Sequence, residues 1–99
     1  MKLIELIDNI HDIDDNSVIF MPKDEILNEN ANAVIITEEQ LPDNGKPPEG
    51  LQYLLEVFYV KELLGVWRKW RNGKEPTREE KYQAFVYFID HDAYIPTDL

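Results

Sequence analysis

The segment from Leu51 to Arg71, LQYLLEVFYVKELLGVWRKWR, is the one long stretch with enough large apolar side chains to form the middle of a core. Its periodicity changes partway along. Leu51, Tyr53, Leu55 and Val57 alternate with Gln52 and Glu56, while Leu54 breaks the polar side, which predicts a strand with one well-buried face. From Val60 the apolar positions become Val60, Leu63, Leu64 and Trp67, the spacing of an amphipathic helix. The join is expected near Phe58–Tyr59. A strand and a helix thus come from one continuous run, and the flanking segments supply their partners.

Upstream lies Glu38 to Gly50, EEQLPDNGKPPEG, whose three prolines and two glycines predict a mobile loop. Its length is unusual for so small a domain and suggests a functional role. Before it, Ala33–Thr37 (AVIIT) reads as a strand, and Lys23–Asn32 as a polar connection pinned by Ile26 and Leu27. Ser17–Met21 (SVIFM) reads as another strand, ended by Pro22. Asp12, Asp14, Asp15 and Asn16 predict a turn, because their side chains compete for backbone hydrogen bonds. Lys2–Ile10 predicts a first helix with Leu3, Leu6, Ile7 and Ile10 on its inner face.

Downstream, Asn72–Gly73 fits a helix C-cap, and Arg68, Lys69, Arg71 and Lys74 complement the helix dipole. Thr77 with Glu80 forms a capping box that opens a last helix, with Tyr82, Phe85, Val86 and Ile89 facing inward. The tail from Asp90 is expected to pack Tyr94 and Ile95 back. The order is α-β-β-β-α-α, with no crossover helix between strands. That predicts an α+β fold: a small antiparallel three-stranded sheet packed against about three helices, in a single domain over residues 1–99.

Composition narrows the function. No apolar run reaches the roughly 18–20 residues that cross a bilayer, and the N-terminus lacks a signal-peptide cleavage site. There is no cysteine, hence no disulfide and no thiolate site. A cytoplasmic protein is expected. The formal charge is −10, from 20 acidic and 10 basic residues. Residues 1–50 hold twelve acids against three bases, and residues 51–99 eight against seven. A field of that sign repels nucleic acid and anionic membrane and attracts basic partners, although acidity also serves solubility alone.

Catalytic patterns are wanting. Asp90–His91–Asp92 invites a metal reading, but adjacent helical positions point in different directions, and the only other histidine is His11. No nucleophile elbow or phosphate-binding glycine loop occurs. No enzyme activity, metal or cofactor is expected. Trp67 and Trp70 share a helix edge: Trp67 is expected in the core, with Trp70 at the rim or, beside Arg68 and Arg71, an interface anchor.

The ending AFVYFIDHDAYIP (Ala84–Pro96), following a strand–helix unit, resembles a family of small, acidic, uncharacterised bacterial proteins. The residues that carry the likeness are Ala84, Phe85, Tyr87, Phe88, Asp92, Ala93 and Tyr94, with a looser match at Val18–Pro22. In profile the chain is also similar to immunity proteins of contact-dependent growth inhibition and related polymorphic toxin systems. That resemblance implies a short cytoplasmic domain, monomer or weak dimer, that binds a cognate basic protein toxin such as a nuclease. It transfers no binding residue. Charge alone offers Glu38, Glu39, Asp43 and Glu49 on the long loop, then Asp12, Asp14 and Asp15, and Asp24 and Glu25. Two alternatives stand beside it: a housekeeping or regulatory domain that self-associates through Trp70 and the Tyr82–Phe88 surface, and a DNA-mimic inhibitor.

Overall fold

The structure, a computed structural model, describes residues 1–98. Helix α1 spans Leu3–Asp8, strand β1 Ser17–Pro22, β2 Val34–Thr37, β3 Leu51–Glu56, helix α2 Val57–Trp70 and α3 Arg78–His91. Short 3-10 turns follow α1 at Ile10–Asp12 and β2 at Glu38–Gln40. This is the expected α+β order, and the three strands form one antiparallel sheet with β1 in the middle.

Strand β1 pairs with β2 through Ser17–Thr37, Val18–Ile36, Ile19–Ile35 and Phe20–Val34. On its other edge Val18 faces Glu56, Ile19 faces Leu55, Phe20 faces Tyr53 and Met21 faces Gln52. The register shifts between Ile19 and Phe20, so Leu54 is the extra residue of a β-bulge. The bulge reverses the side of Tyr53. Strict alternation would send Tyr53 inward with Leu55; instead Leu54 and Leu55 are both buried in the core and Tyr53 stands beside Phe20 on the other face.

The inner face of the sheet carries Ile19, Met21 and Leu55 against Leu3, Leu6, Ile7 and Ile10, the α2 residues Val57, Val60, Leu63, Leu64 and Trp67, and Ala84 and Phe85 of α3. Helix α2 begins at Val57, three residues before the expected helical run. Val57, Val60 and Leu64 share one helical face, so Val57 satisfies both periods. The first turn of α1 finds partners outside itself: the Leu3 and Ile4 amides donate to the carbonyls of Ala31 (2.8 Å) and Glu29 (3.0 Å). Leu27 packs on the core, whereas Ile26 is 84% exposed.

Helix α2 ends with Asn72 and Gly73 both at positive φ, and the Gly73 amide donates to the Arg68 carbonyl at 2.7 Å. Both halves of the Thr77–Glu80 capping box form at the start of α3. Lys81 of α3 then ties down the end of α1, its ammonium donating to the Asp8 carboxylate at 3.0 Å and to the Asp8 carbonyl at 3.2 Å.

The connection from Glu38 to Gly50 is laid along the molecule. Strands β2 and β3 are both antiparallel to β1, hence parallel to each other, and β2 ends where β3 ends. The chain must return along the whole sheet before β3 begins. Leu41, Pro42 and Pro47 do so across the outer face, over Val18, Phe20 and Tyr53. Topology therefore accounts for the loop's length.

Phe85 is fully buried among α1, α2 and the sheet. Phe85→Ala should destabilise the chain by about 3–5 kcal/mol, and Thr77→Ala, which removes the cap, by about 1 kcal/mol. Urea unfolding monitored by far-ultraviolet circular dichroism measures both. A Phe85→Ala loss under 1 kcal/mol would mean that α3 is not part of the core.

Candidate functional site

Most bases of the second half are engaged within the chain. Lys61 pairs with Asp15 and donates to the Ile13 carbonyl at 2.7 Å. The Arg68 guanidinium binds the Glu75 carboxylate, with its shortest contact at 2.7 Å. Arg71 lies over the Trp67 ring at 4.3 Å and donates to the carbonyls of Trp67, Ile95 and Pro96. Lys74 approaches Glu80, and Arg78 and Lys81 meet at Asp8. The basic stretch after Arg68 is thus an internal tie between α2, α3 and the tail.

Apart from Asp43, the acids predicted from charge fall into two groups, at opposite ends of the sheet. At the first, where β1 begins and β2 ends, the Asn16 amide donates to Asp14 Oδ1 at 2.8 Å and closes the turn into β1. The Glu38 amide donates to the Asn16 carbonyl at 2.9 Å and brings the next turn alongside. Thr37 caps that turn through Gln40, whose Oε1 accepts from the Thr37 amide at 3.2 Å. Asp14, Glu38 and Glu39 consequently line one depression of about 240 Å³ with Asn16 and Thr37. None of these three carboxylates has a basic partner within 4.0 Å among the described residues. Asp12 is exposed on the preceding 3-10 turn, and Asp15 is held by Lys61.

Asp24, Glu25 and Glu49 belong to the second end, where Pro22 pairs with Leu51. Glu25 accepts from the Asn32 amide and side chain, both at 3.2 Å, and closes the Lys23–Asn32 connection. The two groups stand one strand apart, about 17–20 Å. Asp43 lies between them, on the exposed segment that crosses the outer face.

That crossing encloses a groove of about 320 Å³ lined by Val18, Phe20, Leu41, Pro42, Gly45, Lys46, Pro47, Tyr53 and Glu56. Phe20 and Tyr53 meet edge to face, with centroids 6.3 Å apart. Partial burial and the neighbouring Glu56 carboxylate push the Tyr53 phenol well above its ordinary value.

On the helical side runs a row of aromatic rings, of which Phe58, Tyr59 and Trp70 are exposed and Phe88 and Tyr94 are partly buried. Phe58 contacts Tyr59, Tyr59 contacts Phe88, Phe88 contacts Tyr94 and Tyr94 contacts Trp70, with centroids between 4.2 and 6.3 Å. Trp70 is 48% exposed, while Trp67 is buried, as its place on the helix predicts. Tyr94 and Ile95 pack back on the core.

The histidines do not share a site. His11 lies beside Arg68, and His91 stacks on Tyr87. Among the described residues no three His, Asp or Glu side chains are grouped to hold a metal ion, and no helix is long and apolar enough to cross a membrane.

The molecule is therefore an α+β domain whose open features are an acidic sheet end, an apolar groove continuous with it, and an aromatic face. The chain belongs to the family described as a domain of unknown function, DUF7716, which matches residues 1–97. Comparison with curated proteins and with solved structures gives no match.

The bound acids set the response to pH. Arg68 holds Glu75 below the usual carboxylate value, and the Thr77 amide does the same for Glu80. A lowered native value means that the unfolded chain binds protons first, so stability is complete above the unfolded carboxylate range and falls with acidification. Glu80→Gln should be less stable than the parent at pH 7 and lose less between pH 6 and pH 3. Parallel curves from urea unfolding at each pH would show that Glu80 contributes nothing to that slope.

Proposed function

We propose that this chain is a non-catalytic immunity protein, which binds a basic protein toxin in the bacterial cytoplasm and neutralises it by occupying its cationic cleft. The observation that carries the reading is the meeting of Asp14, Glu38 and Glu39, from two separate turns, at one end of the sheet without basic partners. A nuclease cleft holds phosphate with Lys and Arg. A preformed acidic surface can fill it, accelerate encounter through steering and gain from close charge pairs. The hydrogen bonds at Asn16 and Thr37 fix these turns before binding, which lowers the ordering cost that a free loop would carry.

Pull-down with the tagged chain from lysate of the source cell, at low and moderate salt, should retain one stoichiometric basic protein whose toxic activity the chain abolishes. With that partner in hand, the triple variant Asp14→Asn, Glu38→Gln, Glu39→Gln should slow association at low salt by about tenfold and flatten its salt dependence. Asp24→Asn with Glu49→Gln, at the other end, should leave the rate near that of the parent. The reverse pattern would place the toxin at the second end; unchanged kinetics in both would sink the electrostatic reading.

The aromatic row from Phe58 to Trp70 favours a second reading, a domain that acts by self-association. Sedimentation equilibrium separates the two. Self-association would give a concentration-dependent mass that Trp70→Ser abolishes, whereas a monomer throughout removes this alternative.

A further inference from the structure

The groove on the outer sheet face has a mixed wall. Phe20 and Tyr53 supply aromatic surface, and Val18, Leu41, Pro42 and Pro47 supply aliphatic surface. Glu56 adds a carboxylate from the end of β3. Glu56 is half-buried and has no basic partner within 4.0 Å among the described residues. Its carboxylate lies beside the Tyr53 phenol with no cation in reach, so it is open to a basic side chain that enters the groove. The volume, about 320 Å³, is at the small end of binding pockets and suits one side chain better than a cofactor.

The groove also joins the acidic sheet end. Glu38 and Glu39 run through Gln40 directly into Leu41 and Pro42 of its wall, and Glu56 sits opposite Val18 at the same end of β1. A basic partner drawn to Asp14, Glu38 and Glu39 therefore meets the groove next.

We propose that this groove is a socket for one arginine side chain of the basic protein partner, its guanidinium stacked on Tyr53 and paired with Glu56; this rests on the toxin-binding reading above. Arginine fits better than lysine for three reasons. Its planar head stacks on an aromatic face, it can meet a carboxylate with two parallel N–H bonds, and it is more weakly hydrated, so it loses less on entering an apolar groove. Lys46 also lines the groove, and its positive charge there disfavours the entry of a second cation.

The test needs no toxin. Nα-acetyl-arginine methylamide, with its lysine and citrulline counterparts, is titrated into the isotope-labelled full chain and followed by backbone and aromatic-ring NMR. The arginine probe should give saturable shifts at Val18, Phe20, Tyr53 and Glu56, with the lysine probe weaker. Citrulline, which keeps the shape but not the charge, should bind about fivefold more weakly than arginine. Glu56→Gln should reduce arginine affinity about fivefold while leaving distant resonances in place, and Lys46→Gln should raise it. Equal binding of arginine and citrulline, shifts confined to Asp14, Glu38 and Glu39, or no saturable shift would each overturn the socket. The two readings also fail separately. A chain that binds the probe but captures no toxin refutes the immunity reading; one whose toxin affinity ignores Glu56→Gln and Tyr53→Leu refutes the socket.

Discussion

The architecture depends on the placement of β1 between two strands that both run against it. Both of its edges are then hydrogen-bonded, and every residue from Ser17 to Met21 is buried. Its side chains are apolar on both faces, so both faces need cover. The helices cover one, with Ile19 and Met21 beneath them. On the other, Val18 and Phe20 would face water if the β2–β3 connection did not cross there. The same arrangement makes β2 and β3 parallel and one strand apart, which a tight hairpin cannot join. One topological choice thus sets the length of the 38–50 connection, its path and the groove beneath it.

This explains which features a reader of the sequence could see. The capping box at Thr77, the C-cap at Asn72–Gly73 and the periodicity of α2 are local, written within a few residues. Strand β1 betrays its burial on both faces by an unbroken apolar run, VIFM from Val18 to Met21. The side occupied by Tyr53 is not local. Alternation places it with Leu55, but the bulge opposite Ile19 and Phe20 is a property of the pair of strands, which neither strand's own sequence reports. The loop is likewise misread in isolation. Three prolines and two glycines describe a chain free of regular structure, and only the strand order shows that it is laid on a surface. Glu56, hidden at a strand end among twenty acids, gives no sign in sequence of standing in a groove.

Charge shows the same division between composition and placement. The near-balance of residues 51–99 reflects bases that have work inside the fold: Lys61 reaches the turn before β1, Lys81 the end of α1, and Arg71 the tail. These ties join segments far apart in sequence, and Lys81 and Arg71 both donate to backbone carbonyls. The acids of residues 1–50 have few such duties. Asp8, Asp15 and Glu25 hold structure together, while Asp14, Glu38 and Glu39 find no cation. Most acids of residues 1–50 thus have no ion pair among the described residues, and Asp14, Glu38 and Glu39 are the three that share one depression.

Concentration has a physical consequence. For a chain at −10, self-repulsion is smallest when the carboxylates are dispersed. Solubility asks only for net charge and is served equally well by dispersal. Yet the Glu38 amide, bound to the Asn16 carbonyl, draws two acidic turns together and fixes them there. Glu56 then adds a further carboxylate without a basic partner at the same end of β1, beside the aliphatic and aromatic wall of the groove. Local choices that oppose stability without a structural return are the usual mark of a functional surface. In this molecule Asp14, Glu38, Glu39 and Glu56 occur together at one end of one sheet, drawn there by the pairing of β1 with β2 and β3.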